Sequence, residues 1–146
     1  MLLRIFWACV LVATTVVIHA ISLGVVLRTV ESGVPKARRR WAISRLLIRV
    51  AWSLLLVHIV EIALWGLFYF WQNCLPDAES ALYFSGASYT TIGFGDVVLP
   101  KPWRMFGPIE GLTGILMGGL SAGLFVTLVN GIFAADSSRR HETADR

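Results

Sequence analysis

Three long apolar blocks, separated by polar stretches, set the pattern of this chain. They run roughly from Leu2 to Leu27, from Leu46 to Trp71 and from Ile109 to Ala134. Each is long enough to cross a hydrocarbon core, which takes about 20 helical residues. A fourth stretch, Ala78 to Thr90, is too short to span and leads directly into a glycine-rich segment. The pattern predicts an all-α membrane protein with three spanning helices and one re-entrant helix and loop.

The first apolar block shares some features with a cleaved signal peptide, since Arg4 lies near its start and small residues surround Ala20. Its apolar run continues through Gly24 to Leu27, which is longer than the about 7–15 residues of a signal-peptide core. We therefore expect a retained N-terminal spanning helix over residues 1–28.

The composition supports a membrane protein and argues against an ordinary soluble domain. Charged residues make up only 15% of the chain, whereas a soluble domain has about 25%. The net charge is positive, but the basic residues are clustered in one loop, which indicates membrane topology and not nucleic-acid binding. Cys9 and Cys74 match neither a zinc pattern nor a disulfide framework, although a bridge between them remains an alternative if both lie near the outer face.

Basic residues predict the orientation of the chain in the membrane. The segment from Arg28 to Arg49 carries one acid, Glu31, and seven basic residues: Arg28, Lys36, Arg38, Arg39, Arg40, Arg45 and Arg49. The region between the last two blocks has only Lys101 and Arg104. Because cytoplasmic loops carry the excess of lysine and arginine, we expect the first loop and the C-terminus inside, and the N-terminus and re-entrant segment outside. Arg4 opposes this orientation but does not outweigh the loop.

The short helix before the glycine-rich segment has its own start signals. Asp77 is a good N-cap residue, and Glu79 lies in the first turn, where the helix dipole favours a carboxylate. We expect this helix to end near Thr90. In a re-entrant geometry its partially negative C-terminal end points towards the membrane centre, where it offsets the desolvation of a cation.

The residues that follow, Thr91–Asp96, have the features of a cation filter, and we call them the filter segment. A filter must replace the hydration shell of an ion with backbone carbonyl oxygens, and a backbone that does so alternates between ordinary and left-handed conformations. Gly93 and Gly95 permit left-handed conformations at low steric cost. Irregular backbone at membrane depth is tolerated only where it is buried or lines a water-filled path.

The remaining side chains of the filter segment have complementary predicted roles. Ile92 and Phe94 are expected to point away from the pore and pack around it. The Thr91 hydroxyl can add the innermost ring of ligands, and the Asp96 carboxylate raises the cation concentration at the outer mouth.

The sequence Thr90–Asp96 resembles the potassium-channel signature T-T-V-G-Y-G-D, and the flanking helices match its context. The resemblance covers roughly Leu46 to Ala134, the two-helix pore module. The chain is most similar to small bacterial ion-channel proteins with one additional N-terminal helix. It implies a homotetramer in the inner membrane, in which one chain and three further copies surround one pore. It also implies that backbone carbonyls of Thr91, Ile92, Gly93 and Phe94 coordinate K⁺ in preference to Na⁺.

Three residues depart from the family pattern. Ile92 replaces valine, and Phe94 replaces the tyrosine whose hydroxyl ties the filter to the pore helix in many members. Ala87 stands where some members carry a glutamate that pairs with the aspartate after the filter, so Asp96 lacks that partner. One alternative to selective K⁺ conduction is a weakly selective cation channel, which would differ in the rigidity of its filter. The other is a non-conducting membrane interaction protein with a vestigial filter, against which the intact Gly93, Gly95 and Asp96 argue.

On this basis the chain divides into four parts. They are an N-terminal helix (1–28), a basic cytoplasmic loop or interfacial helix (29–45), the pore module (46–134) and a short cytoplasmic tail (135–146). The basic residues Arg38–Arg40 lie beside apolar residues, so this loop is expected either to lie on anionic lipid headgroups or to be solvated.

Three ionisable residues lie well inside the predicted spans, away from their ends. Glu61 and His58 lie one turn apart on one helix face, and His19 lies at a broadly similar depth in the first helix. Ionisable groups at this depth are functional candidates. The alternatives are a polar clasp between the first two helices and a proton-sensing role.

The third block is rich in glycine. Gly118 and Gly119 are central, and the family resemblance makes them the candidates for a gating hinge. Gly114 and Gly123 are explained as well by close helix packing as by hinging.

Other function classes are not supported. The predicted spans lack the repeated arginines of a voltage sensor. No Ser-His-Asp or Cys-His arrangement, phosphate loop or metal-ligand spacing marks an enzyme. We therefore expect no catalysis and no cofactor, with K⁺ as the permeant ion.

Overall fold

Four α-helices make up the part of the chain that the structure describes. The computed structural model describes the backbone of residues 1–33 and 40–144, and the side chains of residues 1–30 and 41–132. The helices are α1 (Leu2–Gly33), α2 (Arg40–Trp71), α3 (Ala78–Tyr89) and α4 (Phe106–Ala144), with a 3₁₀ turn at Lys101–Trp103 before α4. By length and composition, α1, α2 and the segment containing α4 can each cross a membrane. The predicted all-α class, with three candidate membrane helices and a short helix between the last two, is confirmed.

The long helices extend beyond the apolar blocks. α1 continues to Gly33, α2 already begins at Arg40, and α4 continues to Ala144. Residues 40–45 of the basic segment therefore lengthen α2, and most of the polar tail lengthens α4. No proline interrupts residues 40–71, and no glycine or proline follows Gly131, so nothing local stops these helices where the apolar pattern ends. Arg38 and Arg39 lie outside the described residues, as does the Arg40 side chain, and the lipid contact expected there is not described.

Two apolar clusters at opposite ends hold the long helices together. The first, which we call the aromatic cluster, joins Ala8 and Leu11 of α1 to large rings of α2 and of the start of α4: Trp65, Phe68, Tyr69 and Phe106. The rings of Phe68 and Phe106 stack with centroids 5.6 Å apart. The second cluster joins the other ends of α1 and α2 through Val26, Val30, Val50 and Leu54. Together they pack α1 against the helices that flank α3.

The short helix α3 packs closely between α2 and α4. A Cβ on Gly114 of α4 would lie 2.0 Å from the carbonyl oxygen of Tyr89, and one on Gly66 of α2 would lie 2.8 Å from Leu82 Cδ2. Gly114 is therefore required by the close approach of the α3 backbone, whereas at Gly66 the nearest atom belongs to a flexible side chain and the Leu82 Cα lies 3.1 Å away. A Cβ on Gly123 would meet no heavy atom within 4 Å, so packing within the chain accounts for Gly114 and not for Gly123.

The N-terminal end of α1 lies on the same side of the molecule as the loops that flank α3. The Arg4 guanidinium lies over the Trp103 ring, 5.7 Å from its centroid, and Trp7 contacts Trp71 edge to face. Cys74 is buried in the aromatic cluster, Cys9 is exposed, and both thiols are free. The structure therefore has no Cys9–Cys74 bridge.

Candidate functional site

The N-terminus of α3 is capped as the sequence predicts. Asp77 has extended backbone, and its carboxylate accepts hydrogen bonds from the Ser80 amide at 2.7 Å and the Ser80 hydroxyl at 2.9 Å. The backbone bond from Ser80 in particular holds the pKa of Asp77 below its usual range. Glu79 occupies the first turn. Two carboxylates therefore interact favourably with the positive end of the helix dipole.

The filter segment begins directly at the other end of α3 and folds back on it. The Thr90 hydroxyl donates to the carbonyl of Gly86 at 2.6 Å. The amides of Thr91 and Gly93 donate to the carbonyls of Ser88 and Ala87, each at 3.0 Å. The start of the filter segment is thus bonded to the last turn of the short helix.

Backbone conformations along the filter segment alternate. The φ angle is +62° at Thr91, +54° at Gly93 and +80° at Gly95, whereas Ile92 and Phe94 have negative φ. Gly93 and Gly95 therefore adopt the left-handed conformations that a carbonyl-lined filter requires. The positive φ of Thr91 is not evident from the sequence, because a β-branched residue rarely adopts it.

Side chains of the filter segment are exposed in a single chain. Ile92 is 59% and Phe94 is 69% exposed. The Phe94 ring stacks on Tyr83 of α3, with centroids 6.4 Å apart. The same Tyr83 donates a hydrogen bond to Asp96 at 2.8 Å. Asp96 lacks the glutamate partner found in some potassium channels, but the Tyr83 hydroxyl bonds its carboxylate instead, a contact that sequence reasoning missed.

An open groove runs beside the filter segment. It has a volume of about 760 Å³ and lies between α3, the filter segment and α4, with Gly93, Gly95, Phe84, Gly111 and Ile115 among its lining residues. The groove is predominantly apolar, and the exposed Ile92 and Phe94 do not line it.

The three predicted intramembrane ionisable residues meet in a buried polar cluster. His19 Nδ1 lies 2.9 Å from Glu61 Oε1, and His58 Nδ1 lies 3.3 Å from Glu61 Oε2. His19 and Glu61 are almost fully buried, and His58 is largely buried. The structure therefore brings all three side chains together between α1 and α2.

Two further residues complete this cluster. The Tyr89 hydroxyl donates to Glu61 Oε2 and lies 2.9 Å from His58 Nδ1. Ser121 Oγ lies 3.1 Å from His58 Nε2 and 3.4 Å from His19 Nε2. We call these five residues the His–Glu cluster. It joins all four helices, and Tyr89 is the last residue of α3, directly before Thr90 and the filter segment.

A second buried carboxylate was not anticipated. Glu110 of α4 accepts hydrogen bonds from the hydroxyls of Tyr69 at 2.7 Å and Ser85 at 2.5 Å. Ser85 also bonds the carbonyl of Ile62. Glu110 thus links α4 to α2 and α3. Among the residues whose side chains are described, every buried side-chain nitrogen or oxygen has a hydrogen-bond partner.

The hinge candidates lie in open space within one chain. Cβ atoms on Gly118 and Gly119 would meet no heavy atom within 4 Å, and α4 is one continuous helix through both. Further along α4, the hydroxyl of Thr127 bonds the carbonyl of Gly123, one turn before it, at 2.8 Å.

A comparison with known protein families matches this region. A family model described as "Ion channel" covers residues 56–130, which include the second half of α2, all of α3 and the filter segment, and most of the apolar part of α4. No curated protein matches the chain, and no solved structure matches it. Because the match covers more than half of the 146 residues, the chain belongs to the ion channel family and is a multi-pass membrane protein, not an enzyme.

Proposed function

We propose that this chain is a subunit of a potassium-selective channel that conducts K⁺ passively. The observation that supports this most is the alternation of φ along the filter segment, positive at Thr91, Gly93 and Gly95 and negative between them. Carbonyl oxygens in such a segment replace the hydration shell of K⁺. We assign the coordinating carbonyls to Thr91, Ile92, Gly93 and Phe94.

Electrostatics at both ends of the filter segment favour a cation. The C-terminal end of α3 carries the negative end of the helix dipole and is separated from Thr91 only by its C-cap residue, Thr90. Beyond Gly95, the Asp96 carboxylate is held by Tyr83 and would concentrate cations at the outer mouth. The Tyr83 bond also ties the filter segment to α3, which offsets the missing hydroxyl at Phe94.

The filter segment of one chain requires partners. Irregular backbone is not stable against lipid, yet Ile92 and Phe94 are more than half exposed in one chain. Ion channels of this family typically assemble as oligomers. We propose a homotetramer in which these side chains pack against neighbouring copies, and the apolar groove beside the filter segment is covered by an adjacent subunit.

The remaining parts of the chain follow from this assignment. Residues 46–134 form the pore module, with Gly118 and Gly119 as hinge candidates in the helix that lines the inner pore. The N-terminal helix (1–28) braces this module through the aromatic cluster. We place the basic segment (29–45) and the tail (135–146) on the cytoplasmic side of the cell membrane, with Arg38–Arg40 near anionic lipids.

The orientation is testable with an impermeant thiol reagent. Cys74 is a poor probe, because it is buried and burial raises the pKa of its thiol to about 11. In a Cys9→Ser, Cys74→Ser background, Ala78→Cys places a thiol at an exposed position in the first turn of α3. We expect this thiol to react on intact cells. Lys36→Cys, in the basic loop, is the control and should react only after the membrane is opened, and the reverse pattern would show that the orientation is wrong.

The selectivity is testable with purified protein in liposomes. Ion flux is measured under opposed K⁺ and Na⁺ gradients, and we expect flux down the K⁺ gradient with a reversal potential near that of K⁺. A reversal potential between those of K⁺ and Na⁺ would identify a weakly selective cation channel. An absence of flux from correctly assembled protein would favour the non-conducting alternative.

A further inference from the structure

We propose that the His–Glu cluster is a binding site for a transition-metal ion of the Zn²⁺ type, with His19, His58 and Glu61 as its ligands. The proposal is independent of the permeant ion, because the site lies between α1, α2 and α4 and uses no carbonyl of the filter segment. It concerns a resident or regulatory ion, and its failure would leave the proposed conduction of K⁺ untouched.

Ligand atoms in the cluster are already close to the spacing that a single ion needs. One nitrogen from each histidine and one oxygen of Glu61 all lie within 4.8 Å of one another. The imidazole–carboxylate separations are 2.9 Å to His19 and 3.3 Å to His58. Zinc bonds to nitrogen and oxygen of about 2.0–2.1 Å place tetrahedral ligands roughly 3.3 Å apart. Small side-chain movements would therefore open the cluster around an ion.

Both histidines present the same ring nitrogen to the carboxylate. The Nδ1 atoms face Glu61, whereas the Nε2 atoms of His19 and His58 lie 3.4 and 3.1 Å from Ser121 Oγ. A metal-bound histidine usually donates its other ring N–H to a hydrogen-bond acceptor, which fixes the tautomer and the ring orientation. Ser121 is placed to accept from both rings when the two Nδ1 atoms bind the ion.

The chemistry of the donor set selects the class of ion. Two imidazoles and one carboxylate suit Zn²⁺, Cu²⁺ or Ni²⁺, whereas Ca²⁺ and Mg²⁺ require more oxygen ligands than this cluster offers. The fourth position falls to Tyr89, whose hydroxyl lies 2.9 Å from His58 Nδ1, or to water. No lysine or arginine forms an ion pair with the buried Glu61 in the part of the chain that the structure describes, so a divalent ion would supply positive charge there.

A route to the cluster is present beside α3. His58 is 20% exposed and lines a cavity of about 320 Å³ together with Tyr89, Thr90, Thr91 and Gly118. An ion in this cavity meets the His58 ring before it meets Glu61 or His19, which are almost fully buried. The same cavity is lined by the start of the filter segment. Binding of an ion would therefore change the positions of Tyr89 and Thr90.

The test is metal binding by the purified full-length protein in detergent, in a Cys9→Ser, Cys74→Ser background that removes the thiols. Titration calorimetry with Zn²⁺ is expected to show one saturable site per chain. Co²⁺ in its place is expected to give the intense visible absorption of a four-coordinate site. Loss of a histidine ligand in His58→Gln should weaken Zn²⁺ binding by at least the roughly 10–100-fold that removal of an outer partner costs.

The third histidine, His141, provides the matched control. The chain has three histidines, and His141 lies near the C-terminus, so His141→Gln should leave the affinity unchanged. Equal affinity in His58→Gln and the parent, or loss of binding in His141→Gln, would overturn the proposal. If His58→Gln fails to assemble, the Co²⁺ spectrum of the parent protein decides, because weak absorption typical of six-coordinate Co²⁺ would also overturn it.

Discussion

Gly114→Ala is expected to prevent assembly of a stable folded protein, although the substitution adds only one methyl group. The new Cβ would lie 2.0 Å from the Tyr89 carbonyl oxygen and 2.9 Å from its carbonyl carbon. These are backbone atoms at the end of α3, so no side-chain rotation relieves the overlap. Overpacking of a close contact costs typically 1–3 kcal/mol and occasionally more. Because α3 itself must move away from α4, we expect the free energy of unfolding to fall by at least about 3 kcal/mol for each chain.

The measurement is thermal unfolding of the detergent-purified oligomer, combined with size-exclusion chromatography. Gly123→Ala is the matched control on the same helix, because its Cβ would meet no heavy atom within 4 Å. Alanine is favoured over glycine inside a helix by roughly 0.5–1 kcal/mol, so this control should melt at the same temperature or slightly higher. If Gly114→Ala melts at the same temperature as Gly123→Ala, α3 does not pack on α4 as closely as the structure shows.

Gly93→Ala is expected to abolish selective K⁺ conduction while the protein still inserts into the membrane. The cause differs from that at Gly114, since a Cβ on Gly93 would meet no heavy atom within 4 Å of the same chain. The residue has a φ of +54°, a conformation that costs a residue with a Cβ roughly 1–2 kcal/mol. In the proposed tetramer, this cost would arise in all four filter segments.

Liposome flux under K⁺ and Na⁺ gradients measures the effect, with membrane insertion followed by the yield of protein in the membrane fraction. Gly24→Ala provides the control, because Gly24 lies in α1 with an ordinary φ and an unobstructed Cβ position. This control should conduct like the parent protein. A Gly93→Ala channel with an unchanged preference for K⁺ would refute the assignment of Thr91–Gly95 as the filter.

Local signals in the sequence predicted the elements around the filter segment well. The N-cap at Asp77 and the extent of α3 follow from capping and helix polarity, which depend on residues a few positions apart. Helix ends were predicted less well, since α2 starts at Arg40 and α4 continues to Ala144. The apolar pattern marks the part of a helix that fits the hydrocarbon core, whereas the helix itself continues until its local sequence stops it.

Contacts between the helices required the tertiary structure. The sequence placed His19, His58 and Glu61 at a similar depth, but His19 and Glu61 are 42 positions apart, and only the fold shows that they meet. Tyr89 and Ser121 have no sequence pattern that marks them as partners of these residues. Glu110 lies at the edge of the third apolar block, where the sequence does not show that its carboxylate is buried.

The physical reason lies in the solvent that the spanning helices face. A helix in a soluble protein reveals its buried face through an apolar stripe, whereas a spanning helix is apolar on all sides. The sequence by itself therefore determined the number of spans, the cap of α3 and the positions at which the filter segment needs glycine. The rotation of each helix about its axis was decided by tertiary packing, which brings Glu61 to two histidines and gives Asp96 its bond from Tyr83. The same packing distinguishes Gly114, where an added Cβ would overlap Tyr89, from Gly123, where an added Cβ would meet no heavy atom within 4 Å.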